Sequence, residues 1–168
     1  MTQARDIQTV HRILTKRDWK VSTAESVTAG LISATLASRA GSSAYLKSGL
    51  VVYNIDAKVE LLGVDRETAA ACNCVSQEVV SQMLVGLQSS QGSQVNLAIS
   101  GYAEPYEGQD PFAYYGVLIQ SGLDVCHTSI NEIKARPGAD RNETRAYYVE
   151  CAIHLLAQML EVLEISDA

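Results

Sequence analysis

Helix-type and strand-type hydrophobic periods alternate along this 168-residue chain, a short polar turn joins one pair of strands, and 47% of the residues are hydrophobic. Alternation lays parallel strands under covering helices, the short turn forces one antiparallel pair, and the apolar content suffices for one compact core. The sequence therefore predicts an α/β fold: a three-layer α/β/α sandwich on a mixed, mostly parallel sheet of about five strands. Residues 1–168 read as a single domain, with no internal repeat and no linker.

Ile7, Val10, Ile13 and Leu14 recur at helical spacing, and Trp19 to Thr23 then reads as a short strand. A second helix follows with Leu31, Ile32, Thr35 and Leu36 on one face and Thr28 as its expected N-cap. Gly41-Ser42-Ser43 ends it, and Ser48 to Tyr53 is an apolar, β-branched run of the kind buried on both faces. Two short helices are expected over 56–63 and 65–72. Ser76 opens a longer one with Val79, Val80, Met83, Leu84 and Leu87 inward, which Gly86 weakens only modestly. Val95 to Ser100 is a third strand, and 102–113 a loop rich in Gly, Pro, Tyr and acids, the kind of segment that carries function. Tyr115–Gln120 and Val125–Ile130, parted by Ser121-Gly122-Leu123-Asp124, form the hairpin. Asp140 and Glu143 make a capping box of the Asp type for a last helix with Val149, Ile153, Leu156, Leu160 and Leu163 toward the core.

With 13 basic against 19 acidic residues, a net charge of −6 and no basic run beyond Lys16-Arg17, the chain lacks the electrostatic footprint of a nucleic-acid binder. No stretch approaches the roughly 20 apolar residues that span a bilayer, and the first ten residues are too polar for a secretory signal. A soluble, cytoplasmic protein with no membrane partner is expected. Cys72, Cys74, Cys126 and Cys151 form no C-x-x-C pair, and His11, His127 and His154 are scattered, so no metal site is expected and the thiols read as reduced.

Chemistry has one evident seat. Ser26 stands between a predicted strand and a predicted helix, where a side chain is lifted from the sheet and the following backbone N–H groups turn toward it as an oxyanion hole. A plain helix cap at Ser26 or Thr28 accounts for the same residues. No His–Asp pairing stands near a strand end, so a base for Ser26 would have to be Lys58 or Tyr53, which close the second strand and open the next helix. Lys58 could accept a proton at neutral pH only if burial depressed its pKa; otherwise it is a solvated lysine. Arg141 and Arg145, spaced i, i+4 at the start of the last helix, suit an anion such as a phosphate, or pairing of Arg145 with Glu25, Glu143 or another carboxylate.

The segment Thr23-Ala24-Glu25-Ser26-Val27-Thr28-Ala29-Gly30-Leu31-Ile32 resembles the T-A-E-S-C-T-G-G-L-I signature of the CinA C-terminal domain, the family that contains nicotinamide mononucleotide deamidases. Further similarities follow in the family's order. They are Gly41-Ser42-Ser43-Ala44-Tyr45, Val52-Tyr53 with Ala57-Lys58 and Leu61-Leu62-Gly63-Val64, Val75-Ser76-Gln77-Glu78-Val79, Ser100-Gly101-Tyr102-Ala103, and Asp140-Arg141 with Arg145. The resemblance implies hydrolysis of the carboxamide of nicotinamide mononucleotide to nicotinic acid mononucleotide and ammonia, in pyridine nucleotide recycling. It implies no cofactor and no metal, a pyridine mononucleotide as substrate, a homo-oligomer, in the simplest case a dimer, and no N-terminal molybdopterin-binding-like domain within this chain.

Carried over position by position, Ser26 attacks the amide carbon while Lys58 and Tyr53 activate it and protonate the departing ammonia. Glu25 orients the site, Ser100 lies near the substrate, and Arg141 or Arg145 holds its phosphate. Thr28, Gly30 and Gly101 complete the substrate-binding set. The chain departs from the pattern in the glycine-rich loop, which stands here as Gly101-Tyr102-Ala103-Glu104-Pro105-Tyr106-Glu107-Gly108. Side chains of Glu104, Tyr106 and Glu107 are expected to fill the space that glycines leave, and the carboxylates to repel a phosphate. The replacement of family glycine by Ala29 reads as sterically tolerable. A rewritten loop also fits a catalytically silent or repurposed paralogue that binds another small ligand or a protein partner, or an amidase of a neutral or cationic substrate. A competence or DNA-damage role, which the family's name implies, finds no support in the charge.

Overall fold

The computed structural model describes residues 3–120 and 126–166. Helix α1 (Gln3–Arg17) leads into β1 (Val21–Glu25), α2 (Leu31–Ala37) and β2 (Leu46–Val51). Helices α3 (Ile55–Leu62), α4 (Arg66–Ala71) and α5 (Gln77–Gln91) precede β3 (Val95–Gly101), β4 (Phe112–Gln120), β5 (Cys126–Lys134) and α6 (Arg141–Ser166). The five-stranded sheet has the order β2-β1-β3-β4-β5, parallel across β2, β1 and β3 and antiparallel across β3, β4 and β5.

Two apolar clusters lie on the two faces of the sheet, so the expected three layers are present. One gathers Val10, Ile13 and Leu14 of α1, Ile32 and Leu36 of α2, and Ile153, Leu156 and Leu160 of α6. The other gathers Leu62 of α3, Ala69 of α4 and Val79, Val80, Met83 and Leu84 of α5. Helices α1, α5 and α6 turn inward the residues that recur at helical spacing, which removes the largest apolar area from water.

Several expectations shift. The strand expected over Trp19–Thr23 runs instead over Val21–Glu25, fully buried despite its acidic end. The run Ser48–Tyr53 gives β2 two residues earlier, and β2 is an edge strand whose residues alternate between half-buried and exposed rather than being buried on both faces. On α2 only Ile32 and Leu36 are buried, and Leu31 is exposed. The hairpin strands reach further than expected because the antiparallel ladder continues to the pair Phe112 and Lys134, so the loop ends before 112; the Ser121–Asp124 turn lies outside the described residues. Gly86 has a packing reason rather than a cost alone: a Cβ there would stand 1.8 Å from the Leu62 carbonyl oxygen, so glycine lets α5 cross the end of α3.

Capping bears out two of three expectations. Ser76 Oγ accepts from Val79 N, and Asp140 Oδ1 accepts from Asn142 N and Glu143 N while Glu143 Oε2 takes Asp140 N. Thr28 does not cap α2. That place belongs to Gly30, at φ 95°, with no side-chain cap.

Candidate active site

Three parallel strands end at one edge, and their carboxyl ends deliver Ser26 after β1, Tyr53 and Asn54 after β2, and Ser100 and Gly101 at the end of β3. The chain leaves β1 for β2 on one side and returns to β3 on the other, and ligands gather at such a reversal. A cleft of about 520 Å³ opens there, lined among others by Ser26, Val27, Tyr53, Lys58, Cys74, Ser100, Gly101, Glu104, Tyr106 and Arg141.

The turn after β1 is built on Glu25. Its side chain is fully buried, Oε1 accepting from Thr23 Oγ1, Ser33 N and Ser33 Oγ, and Oε2 from Thr28 Oγ1, Gly30 N and Ile32 N. The carboxylate thereby takes over the unsatisfied first amides of α2, which is why Thr28 points at Glu25 instead of capping. Between them Ala29 sits at φ 49°, a left-handed conformation in which its Cβ is strained, so the change from glycine at this position is not sterically free. From the other side Arg145 donates Nε to the Val27 carbonyl and a terminal nitrogen to the Thr28 carbonyl, each at 3.0 Å. Arg145 therefore pairs with neither Glu25 nor Glu143 and clamps the turn. Glu25, Thr28, Gly30 and Arg145 stand behind the cleft wall and shape it.

On the cleft floor Lys58 is 1% exposed, its Nζ 3.0 Å from Ser26 Oγ and 2.7 Å from the Val52 carbonyl oxygen. Asn54 puts it there: its side chain caps α3 by accepting from Ala57 N, so Lys58 follows one turn into the helix. Burial lowers the Lys58 pKa from its ordinary 10.5, while the neighbouring Cys74 acts weakly in the opposite direction. Burial in turn raises the Cys74 thiol. The Ser26 amide is taken by the Ile99 carbonyl, and the Gly30, Ile32 and Ser33 amides by Glu25. The expected oxyanion hole thus narrows to the Val27 amide, which has no hydrogen-bond acceptor among the described residues and belongs to a residue that lines the cleft.

At the rim Tyr53 is 54% exposed, and its hydroxyl accepts from Arg141 at 2.9 Å rather than meeting Ser26 or Lys58. The other terminal nitrogen of Arg141 meets Glu104 Oε2 at 2.7 Å. Ser100 Oγ donates to the Cys74 carbonyl, and Gly101 is required by sheet packing, since a Cβ there would come within 2.5 Å of Ala113 Cα.

The rewritten loop does not fill the cleft. Tyr106 folds flat onto Tyr102 with ring centroids 4.4 Å apart, and Tyr102 is itself held by Asn73 on its hydroxyl and by Tyr148 on its carbonyl. Glu107 does not line the cleft. No group of three or more His, Cys, Asp or Glu among the described residues could hold a metal ion, and no helix among them is long and apolar enough to cross a membrane.

The sequence model of the CinA C-terminal domain matches residues 4–160. A CinA-like protein of Mycolicibacterium gilvum is 40% identical over 140 residues, covering 83% of this chain and 33% of that protein. A putative competence-damage inducible protein of Halothermothrix orenii is 30% identical over 152 residues, covering 90% and 36%. The chain spans about a third of the length of the curated relatives it matches. Among solved structures, the competence/damage inducible protein CihA of Agrobacterium tumefaciens superposes with a TM-score of 0.81 at 32% identity, covering 93% of this chain and 96% of that one. The competence damage-inducible protein A of Klebsiella pneumoniae does so with a TM-score of 0.85 at 27% identity, covering 96% and 98%.

Proposed function

Because the chain belongs to the CinA C-terminal domain family, we propose that it is an amidohydrolase that cleaves the carboxamide of nicotinamide mononucleotide through Ser26 and Lys58. One observation carries this reading: a lysine stripped of water stands at hydrogen-bond distance from a serine on the floor of an open cleft.

A buried amine loses its proton more readily than a solvated one, so Lys58 is set up to act as a base. In the neutral amine one N–H goes to the Val52 carbonyl, which leaves the lone pair free to face Ser26 Oγ. Lys58 takes the hydroxyl proton, Oγ bonds to the carboxamide carbon, and the carbonyl oxygen becomes an oxyanion at the Val27 amide. The protonated Lys58 then gives its proton to the amide nitrogen, the C–N bond breaks, and ammonia leaves. Water, deprotonated by the same amine, attacks the acyl ester and returns Ser26 and the carboxylic acid. Arg141 meets the phosphate in this reading, and its hydrogen bond with Tyr53 fixes it at the rim. Ser100 borders the cleft.

The test is ammonia release from nicotinamide mononucleotide, with Ser26→Ala as the control. Release well above the control is expected, and equality with the control rejects the reading.

A further inference from the structure

Glu104 is the carboxylate of the rewritten loop that the fold brings to the site. Among the described residues it is the one carboxylate bordering the cleft, and its partner Arg141 is the one cation at the rim, Lys58 being buried on the floor. Arg141 donates to Glu104 Oε2 at 2.7 Å through one terminal nitrogen and to the Tyr53 hydroxyl at 2.9 Å through the other. A guanidinium holds a phosphate through the same two forks, so the Glu104 carboxylate sits where a phosphate oxygen would bind. The pair is exposed, at 43% for Arg141 and 64% for Glu104, so it is weak enough to be exchanged for a ligand. After exchange the carboxylate remains tethered by the loop beside the phosphate, a like-charge contact that persists in the complex.

We propose that Glu104 is a specificity-determining residue that occupies on Arg141 the seat of a substrate phosphate, and so narrows the preference for a mononucleotide over the corresponding unphosphorylated riboside. This deepens the amidohydrolase reading and rests on it for the substrate class, while the competition on Arg141 stands on the geometry alone. The expected size is about tenfold, the factor that one carboxylate near a phosphate at a solvent-exposed rim produces.

The experiment measures binding, on a Ser26→Ala background, so that turnover plays no part. Nicotinamide mononucleotide, nicotinamide riboside and inorganic phosphate are titrated against the chain with Glu104, with Glu104→Gln and with Glu104→Gln combined with Arg141→Ala. Glutamine keeps the shape and the hydrogen bond and removes the charge. The ratio of mononucleotide to riboside affinity is expected to rise about tenfold in Glu104→Gln, phosphate alone to tighten by a similar factor, and both gains to vanish when Arg141 is removed. If neither pyridine compound binds, the amidohydrolase reading fails and the phosphate titration still decides the role of Glu104. Phosphate affinity unchanged by Glu104→Gln, or a gain that survives Arg141→Ala, overturns the proposal.

Discussion

Glu25 supports the turn that carries Ser26 from behind the cleft wall, and Glu104 borders the same cleft at its rim. Glu25 is fully buried with three hydrogen bonds to each oxygen, whereas Glu104 is 64% exposed and meets a single guanidinium. Inside, water cannot replace a lost partner, so every donor around Glu25 depends on it. At the rim, water or a ligand can replace Glu104 at little cost. The same side chain is thus a fixed support in one place and an exchangeable contact in the other, and substitutions separate the two roles.

The largest effect is expected behind the wall. Glu25→Gln turns one acceptor into a donor that faces donors, leaving the start of α2 unsatisfied, and destabilises by about 3 kcal/mol, read as a lower urea midpoint. Arg145→Ala frees two backbone carbonyls of the same turn and costs about 2 kcal/mol by the same assay, with a loss of turnover because Ser26 is no longer held against Lys58. Ala29→Gly relieves the left-handed strain and stabilises by up to about 1 kcal/mol. At the rim, Glu104→Gln changes stability by no more than about 0.5 kcal/mol while changing ligand preference. A Glu104→Gln chain as unstable as Glu25→Gln would erase the distinction between the two glutamates.

The layers were legible from the alternation of periods because most of the helices bury the residues that their periods predict, although β2 at the sheet edge and Leu31 of α2 do not. The site was legible only in part. Glu25 ends a buried strand, a place from which charge normally excludes a residue, and it is the turn that folds the amides of Gly30, Ile32 and Ser33 and the nearby hydroxyls back onto it that makes the burial tolerable. Spacing shows no such turn, and so it points to Thr28 as the cap on α2. Lys58 could be singled out, but its depth could not, since nothing in the spacing of α3 says that Val52 and Ser26 would enclose it. Gly86 read as a helix weakener because its reason is a carbonyl on another helix. The loop's aromatic and acidic residues read as obstacles; the stacking of Tyr106 on Tyr102, which Asn73 and Tyr148 hold from elsewhere in the chain, and the long-range pairing of Glu104 with Arg141 take them off the floor of the cleft.

Lys58 joins stability to activity with opposite signs. Its folded pKa is lowered, so between that value and 10.5 the unfolded chain binds more protons, and stability rises with pH across that window. The penalty is fully present below the folded pKa and gone above 10.5, so Lys58→Met is expected to raise Tm at neutral pH, by a margin that shrinks as pH approaches 10.5, while removing the base.

The most direct measurement is the pH dependence of ammonia release from nicotinamide mononucleotide by the wild-type chain beside Ser26→Ala and Lys58→Met. The predicted result is a kcat/KM that rises with pH and levels off below the ordinary lysine value of 10.5, with both variants at background throughout. Release by the wild type no greater than by Ser26→Ala, or a Lys58→Met chain that keeps the wild-type rate and profile, would contradict the Ser26–Lys58 pair as the catalytic centre.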